Sequence, residues 1–188
     1  MFGKIKLKIF AIALCAIIMT MVIQPTHAYF STVGSSVNVV TSGSIRMKIH
    51  KTTDQGKEYP SEGIYIMPGD VISQRVTVEN DCEHPFYLRV KIVYGASSTE
   101  ISAEDCINLN INEKYWELHD GWYYYTGIVE PHMTTEYVFS QVEIIGSKVD
   151  TSYIGKALSM SVNAQAVQSE NNPLTNGKVY TASGWPKG

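Results

Sequence analysis

The side chains best suited to chemistry in this chain are few and scattered. Of the five histidines, His50, His84, His119 and His132 stand singly, with no His-Glu-x-x-His pair and no long helical pattern that would set two imidazoles one turn apart. There is no Gly-x-Ser-x-Gly elbow, no glycine-rich phosphate loop, and no cysteine–histidine pair with a third group to orient it. Glu117 with Asp120, or Glu143 with Asp150, would suit a glycosidase, but a chain with 18 acidic residues offers such pairs by chance. Glu100, Glu104 and Asp105 would meet Asp81 and Glu83 around a cation only if Cys82 and Cys106 were joined, and the Asp-x-Asp-x-Asp-Gly loop of calcium sites is absent. The sequence thus predicts a protein that is not an enzyme, with no catalytic residue, no metal and no cofactor.

Binding chemistry is concentrated in one stretch, Tyr115 to Tyr125 (YWELHDGWYYY). His119-Asp120-Gly121 is a tight-turn signal between two runs of strong strand formers, so a β-hairpin is expected. Trp116, Trp122 and Tyr124 would then either form an exposed aromatic surface for sugar faces, or pair across the strands and close the edge of a sandwich. Both readings are open from sequence.

The elements that position these residues begin after an export signal. Lys4, Lys6 and Lys8 precede a 15-residue uncharged apolar run, Ile9 to Ile23, and Gln24-Pro25-Thr26-His27-Ala28 ends it with small residues at the positions a signal peptidase reads. Cleavage is expected between Ala28 and Tyr29, because the run falls short of the ~20 residues that span a bilayer. Membrane contact is thereby confined to the signal before cleavage. Losing three lysines and no acids takes the net charge from -3 to -6, which argues against nucleic-acid partners. Export also makes a Cys82–Cys106 disulfide plausible chemistry, worth roughly 3 to 4 kcal/mol for a loop of about 25 residues.

Downstream, apolar residues alternate. Ile45, Met47 and Ile49 share one face of a strand; Ile72, Val76 and Val78 share another, after the Pro68-Gly69-Asp70 turn. Phe86, Leu88, Val90 and Ile92 follow the break at Glu79-Asn80-Asp81 and His84-Pro85. Further short strands are expected at Ile107 to Ile111, at Thr135 to Ile145 with a bulge near Gln141, and at Ala157 to Val167. With no helix of any length after the signal, the pattern predicts an all-β fold, an antiparallel β-sandwich of jelly-roll type preceded by a cleaved N-terminal signal helix. Three regions result: a signal peptide over residues 1–28, the sandwich over 29–168, and a weakly ordered tail over 169–188. The segment Tyr29 to Val40 is apolar yet rich in Gly and Ser, and its rings need burial.

Two motifs carry a family resemblance. The run from Ile64 to Tyr94, with its x-Pro-Gly-Asp turn and a strand ending Val78-Glu79-Asn80, and the Ala28-Tyr29-Phe30-Ser31 junction behind the apolar run, resemble the TasA and camelysin group of exported Gram-positive proteins. Gly43 to Ile49 and the Ala166-x-Gln168 strand end are similar too, whereas Pro131-His132-Met133 stands where the group usually has Pro-Gly-Glu. That resemblance implies release by a signal peptidase of the SipW type, secretion to the extracellular (biofilm) matrix or cell surface, and use as a structural protein. It also prompts the search for a camelysin-like protease, which the scattered histidines do not support. Fibre growth by strand donation follows as an expectation, with Phe30, Val33, Val37 and Val39 filling a groove on the next copy.

Overall fold

In the computed structural model the described residues are 28–30, 45–60, 64–97, 102–149, 153, 156–170 and 172–186. Eleven strands dominate them: β1 (Ala28–Phe30), β2 (Met47–Thr52), β3 (Ile64–Ile66), β4 (Val71–Ser73), β5 (Arg75–Asn80), β6 (Phe86–Ala96), β7 (Ile107–Ile111), β8 (Trp116–His119), β9 (Trp122–Tyr125), β10 (Phe139–Ile144) and β11 (Ala157–Gln168). A single helical turn, α1 (Ala103–Cys106), interrupts what the sequence reads as loop. The all-β expectation therefore holds for this part of the chain.

One layer is a six-stranded sheet in the order β3-β1-β11-β6-β9-β8. Its spine is the long antiparallel pair β6–β11, in register from Leu158 opposite Ala96 to Gln168 opposite Phe86. Leu158, Met160, Val162, Ala164 and Ala166 all point into the core, as strict alternation demands. The second layer is built from the sheets β4-β10-β7 and β2-β5, which the chain before β10 ties together: Val138 donates to the Val76 carbonyl at 2.8 Å and Thr135 to that of Val78 at 2.9 Å. Val76, Val78, Phe139, Val142 and Ile144 from this layer meet Phe86, Leu88, Val90 and Trp116 from the first in one core, giving a sandwich-like arrangement.

The local chemistry follows the turns. At the β8–β9 hairpin Asp120 and Gly121 have φ of 49° and 75°, the left-handed pair that a two-residue connection needs to match strand twist. Near Gln141 the β10–β7 register slips by one residue between Phe139 and Val142, as expected of a bulge. The two crowded amides are satisfied by one side chain, since Ser140 and Gln141 both donate to Asn110 Oδ1, at 2.9 and 2.7 Å. His132 takes a φ of 61°, behind Pro131 in a turn closed by Met133 N–H to the Glu130 carbonyl at 3.0 Å. A residue with positive φ at this point is what a Pro-Gly type turn requires. The histidine keeps that conformation.

The strand expected over Thr135 to Ile145 begins only at Phe139; residues before it run beside β5 through the single amides just named. A larger correction concerns the tail. Residues 172–186 are not a loose end: Val179 and Ala182 are buried against Tyr87, Tyr124 and Val167 on the outer face of the six-stranded sheet.

Candidate functional site

Two ends of the six-stranded sheet carry the features the sequence singles out. At the first, β1 is inserted between β3 and β11. It runs antiparallel to β3, with Ala28 opposite Ile66, Tyr29 opposite Tyr65 and Phe30 opposite Ile64. It runs parallel to β11, with Tyr29 opposite Ala157 and Phe30 opposite Leu158. Strand spacing is close to 4.8 Å, so β3 and β11 flank a slot about one strand wide. Among the described residues β1 is the one element that links β3 to this sheet. The slot is lined by Ile66 and Leu158, both buried, while Tyr65 on the outer strand is 72 % exposed, and Met67 and Val71 beyond it are exposed as well. Of the residues expected to form a donor strand, Phe30 thus pairs within its own chain, whereas Val33, Val37 and Val39 lie outside the described residues.

The other end belongs to the hairpin. Because side chains alternate, Trp116 and Tyr125 face the core as an edge-to-face pair with ring centroids 5.2 Å apart, and the Trp116 ring N–H donates to the Glu136 carbonyl at 3.2 Å. Trp122 and Tyr124 face the opposite way. Of the two readings open from sequence, the hairpin follows the pairing across strands rather than a single aromatic surface: Trp116 and Tyr124 are buried on different faces, and Trp122 is half-buried under the tail. On the core-side rim, Tyr123, Leu118, Glu113, Glu117 and Lys178 line an open cleft of about 460 Å³. Burial pushes the Tyr123 hydroxyl pKa upward, reinforced by Glu113 and Glu104.

What the alternation did not reveal is Arg89, an outward residue of β6 that is only 7 % exposed. Its guanidinium sits over two indoles, 4.2 Å from the Trp122 centroid and 4.8 Å from that of Trp185. It donates to Gln165 Oε1 (2.9 and 2.6 Å), the Tyr124 hydroxyl (3.0 Å) and the Pro186 carbonyl (2.8 Å). No carboxylate takes part in these contacts. Around this clamp, Tyr180 stacks on His119 at 4.1 Å and Lys178 bridges Glu117 at 3.0 Å. The Glu117 hydrogen bond holds the Lys178 ammonium above its ordinary range. A lone Arg between Leu88 and Val90, read with Trp122 and Trp185 on other segments, was the available signal; an alternation rule assigns such a residue to water.

Cys82 and Cys106 are both buried and free, which corrects the disulfide expectation. Each thiol is committed elsewhere. The Cys82 Sγ and backbone N–H both donate to Asn80 Oδ1, at 2.9 and 3.0 Å. Asn80 in turn donates to the carbonyls of His84 and Val129, at 2.9 and 3.0 Å, so this buried amide fastens the β5–β6 turn. Cys106 ends α1, with its sulfur 3.2 Å from the Ser102 carbonyl and 3.0 Å from the Tyr153 hydroxyl.

Of the candidate acids, Glu100 and Asp150 lie outside the described residues, and others are taken up in separate contacts. Asp81 pairs with Lys48 at 3.1 Å, and that ammonium holds its carboxyl below the usual range. Glu83 faces His132, Glu79 faces His50 and Glu143 accepts from Asn108. Glu117 is taken by Lys178. No group of three metal-ligating side chains gathers among the described residues. No family model, curated protein or solved structure matches this chain.

Proposed function

We propose that this is a secreted structural protein of the TasA and camelysin kind, which builds an extracellular matrix or cell-surface layer of a Gram-positive bacterium by passing its N-terminal strand to the next copy. The observation that carries this reading is the slot between β3 and β11, filled by β1 through backbone pairing on both sides. The part of β1 that the mature chain keeps, Tyr29 and Phe30 at its N-terminus, is the part of the sheet most readily exchanged, because the same pairing forms with an identical segment from a neighbour. Donation of this sort is head-to-tail and does not close, so it propagates as a filament.

The exposed Tyr65 of β3 and Met67 directly after that strand add apolar surface that a docked neighbour would cover. Jelly-roll connectivity, the cleaved signal helix, and release by a SipW-type peptidase belong to the same proposal, supported by the Lys4-to-Ala28 pattern and the Ala28-Tyr29-Phe30-Ser31 junction. Negative-stain microscopy of the mature chain at rising concentration tests it. Filaments are expected from the chain starting at Tyr29 and none from one lacking residues 29–40; equal polymerisation of both rejects strand donation.

A further inference from the structure

The bond at which the signal is expected to be cut lies inside the folded sheet. Ala28 pairs with Ile66, and Tyr29 pairs on one side with Tyr65 and on the other with Ala157. Proteolytic enzymes hold the residues around a scissile bond as an extended strand, using backbone groups that a free strand edge presents. At Tyr29 both edges are already taken.

We infer that the folded sandwich protects its own processing site, so that cutting occurs only while β1 is out of the slot between β3 and β11. The inference rests on Ala28–Tyr29 being the processing site. In the cut itself, water adds its hydroxyl to the Ala28 carbonyl carbon, the C–N bond to Tyr29 breaks, and the departing nitrogen takes up the proton. The products are the Ala28 carboxylate on the signal and a Tyr29 α-ammonium on the mature chain. Every mature chain is therefore released with β1 undocked. At that moment its strand and its slot are both unfilled, and the strand can enter either its own sheet or that of a chain released beside it. Processing and assembly become consecutive steps on one segment: the signal cannot leave a chain whose strand is already home.

The test uses full-length precursor in detergent micelles with a purified signal peptidase of the SipW type, the cut being scored by the mass of the mature product. Three full-length chains are compared: the natural one, folded; Leu158→Asp with Val162→Asp, which places two charges in the core face of β11 and keeps the sandwich unfolded; and Tyr65→Pro, which weakens the β3 side of the slot at an exposed position. Circular dichroism assigns each as folded or not. Cutting after Ala28 is expected about 100-fold slower in the folded natural chain than in the unfolded one, with Tyr65→Pro in between, because cleavage then tracks the population of open slot. Equal rates for the folded and unfolded chains overturn the inference and leave the processing site standing. Failure of the unfolded chain to be cut after Ala28 overturns the processing site, and the inference with it.

Discussion

The two ends of the six-stranded sheet are closed by opposite means. At the β3 end a three-residue strand is held by main-chain pairing, which any chain of suitable shape can supply. At the β8 end the hairpin and the returning tail are held by side chains: a buried arginine over two tryptophans, a stacked His119–Tyr180 pair and the Lys178–Glu117 bridge. Main-chain pairing is transferable between copies, whereas an arrangement of particular rings and a guanidinium fork is specific to one partner. The contrast teaches why one end suits the proposed strand exchange and the other suits keeping a subunit intact.

The comparison is broken most severely at the aromatic end. Trp116→Ala removes a fully buried indole and its hydrogen bond to Glu136, and is expected to cost about 3–5 kcal/mol, read as a lowered midpoint in urea denaturation. Next comes Arg89→Ala, which strips the partners from Gln165, Tyr124 and Pro186 and is expected to cost about 2–4 kcal/mol. Its signature is local as well: trypsin should cut after Lys178 much faster than in the natural chain. Arg89→Lys should restore little, since an ammonium cannot bond in a fork while sitting over both rings. At the slot, Tyr65→Pro should lower stability by only about 1 kcal/mol while speeding hydrogen exchange in β1. If Tyr65→Pro proved the more damaging, the assignment of the two ends would be reversed.

Smaller effects sharpen the picture. Tyr94 has its hydroxyl pKa pushed up to about 12, chiefly by burial, with Tyr123 and Glu104 adding to the shift. The unfolded chain releases this proton near pH 10 and the folded one does not, so the contribution is complete below pH 10 and is lost as pH rises towards 12. Alkaline unfolding followed by circular dichroism should be shallower in Tyr94→Phe over that interval. Smallest of all is the thiol result. With Cys82 and Cys106 free, a reductant should leave the melting temperature unchanged, and a thiol reagent should react with both only after denaturation.

Much of the fold was legible because alternation is a direct imprint of a two-faced sheet. Val76, Val78, Leu88, Val90 and the even positions of β11 lie where their period put them, and Asp120-Gly121 turns as its φ tolerance demands. The misreadings share one cause, that a residue's partner was supplied by a distant segment. Arg89 and Trp122 look wet until residues 172–186 fold over them. Trp116 and Trp122 look like neighbours until the hairpin sends them to opposite faces. Cys82 looks like half of a disulfide until Asn80 is seen to accept its proton. The slot shows the reverse case: the Ala28-Tyr29-Phe30 pattern marked a segment in need of a home, but nothing local could say that β3 and β11 provide one.

Among the described residues no carboxylate bonds to Arg89, and that has an environmental consequence. An ion pair loosens in acid as its carboxylate takes up a proton, and weakens in brine as its field is screened. A guanidinium held by ring faces, an amide oxygen, a phenol and a peptide carbonyl does not depend on a charged acceptor. Rising salt would thus weaken the outer Lys178–Glu117 contact first and leave the tail fastened. The main fastening of the β8 end is thereby less sensitive to salt than an ion pair would be.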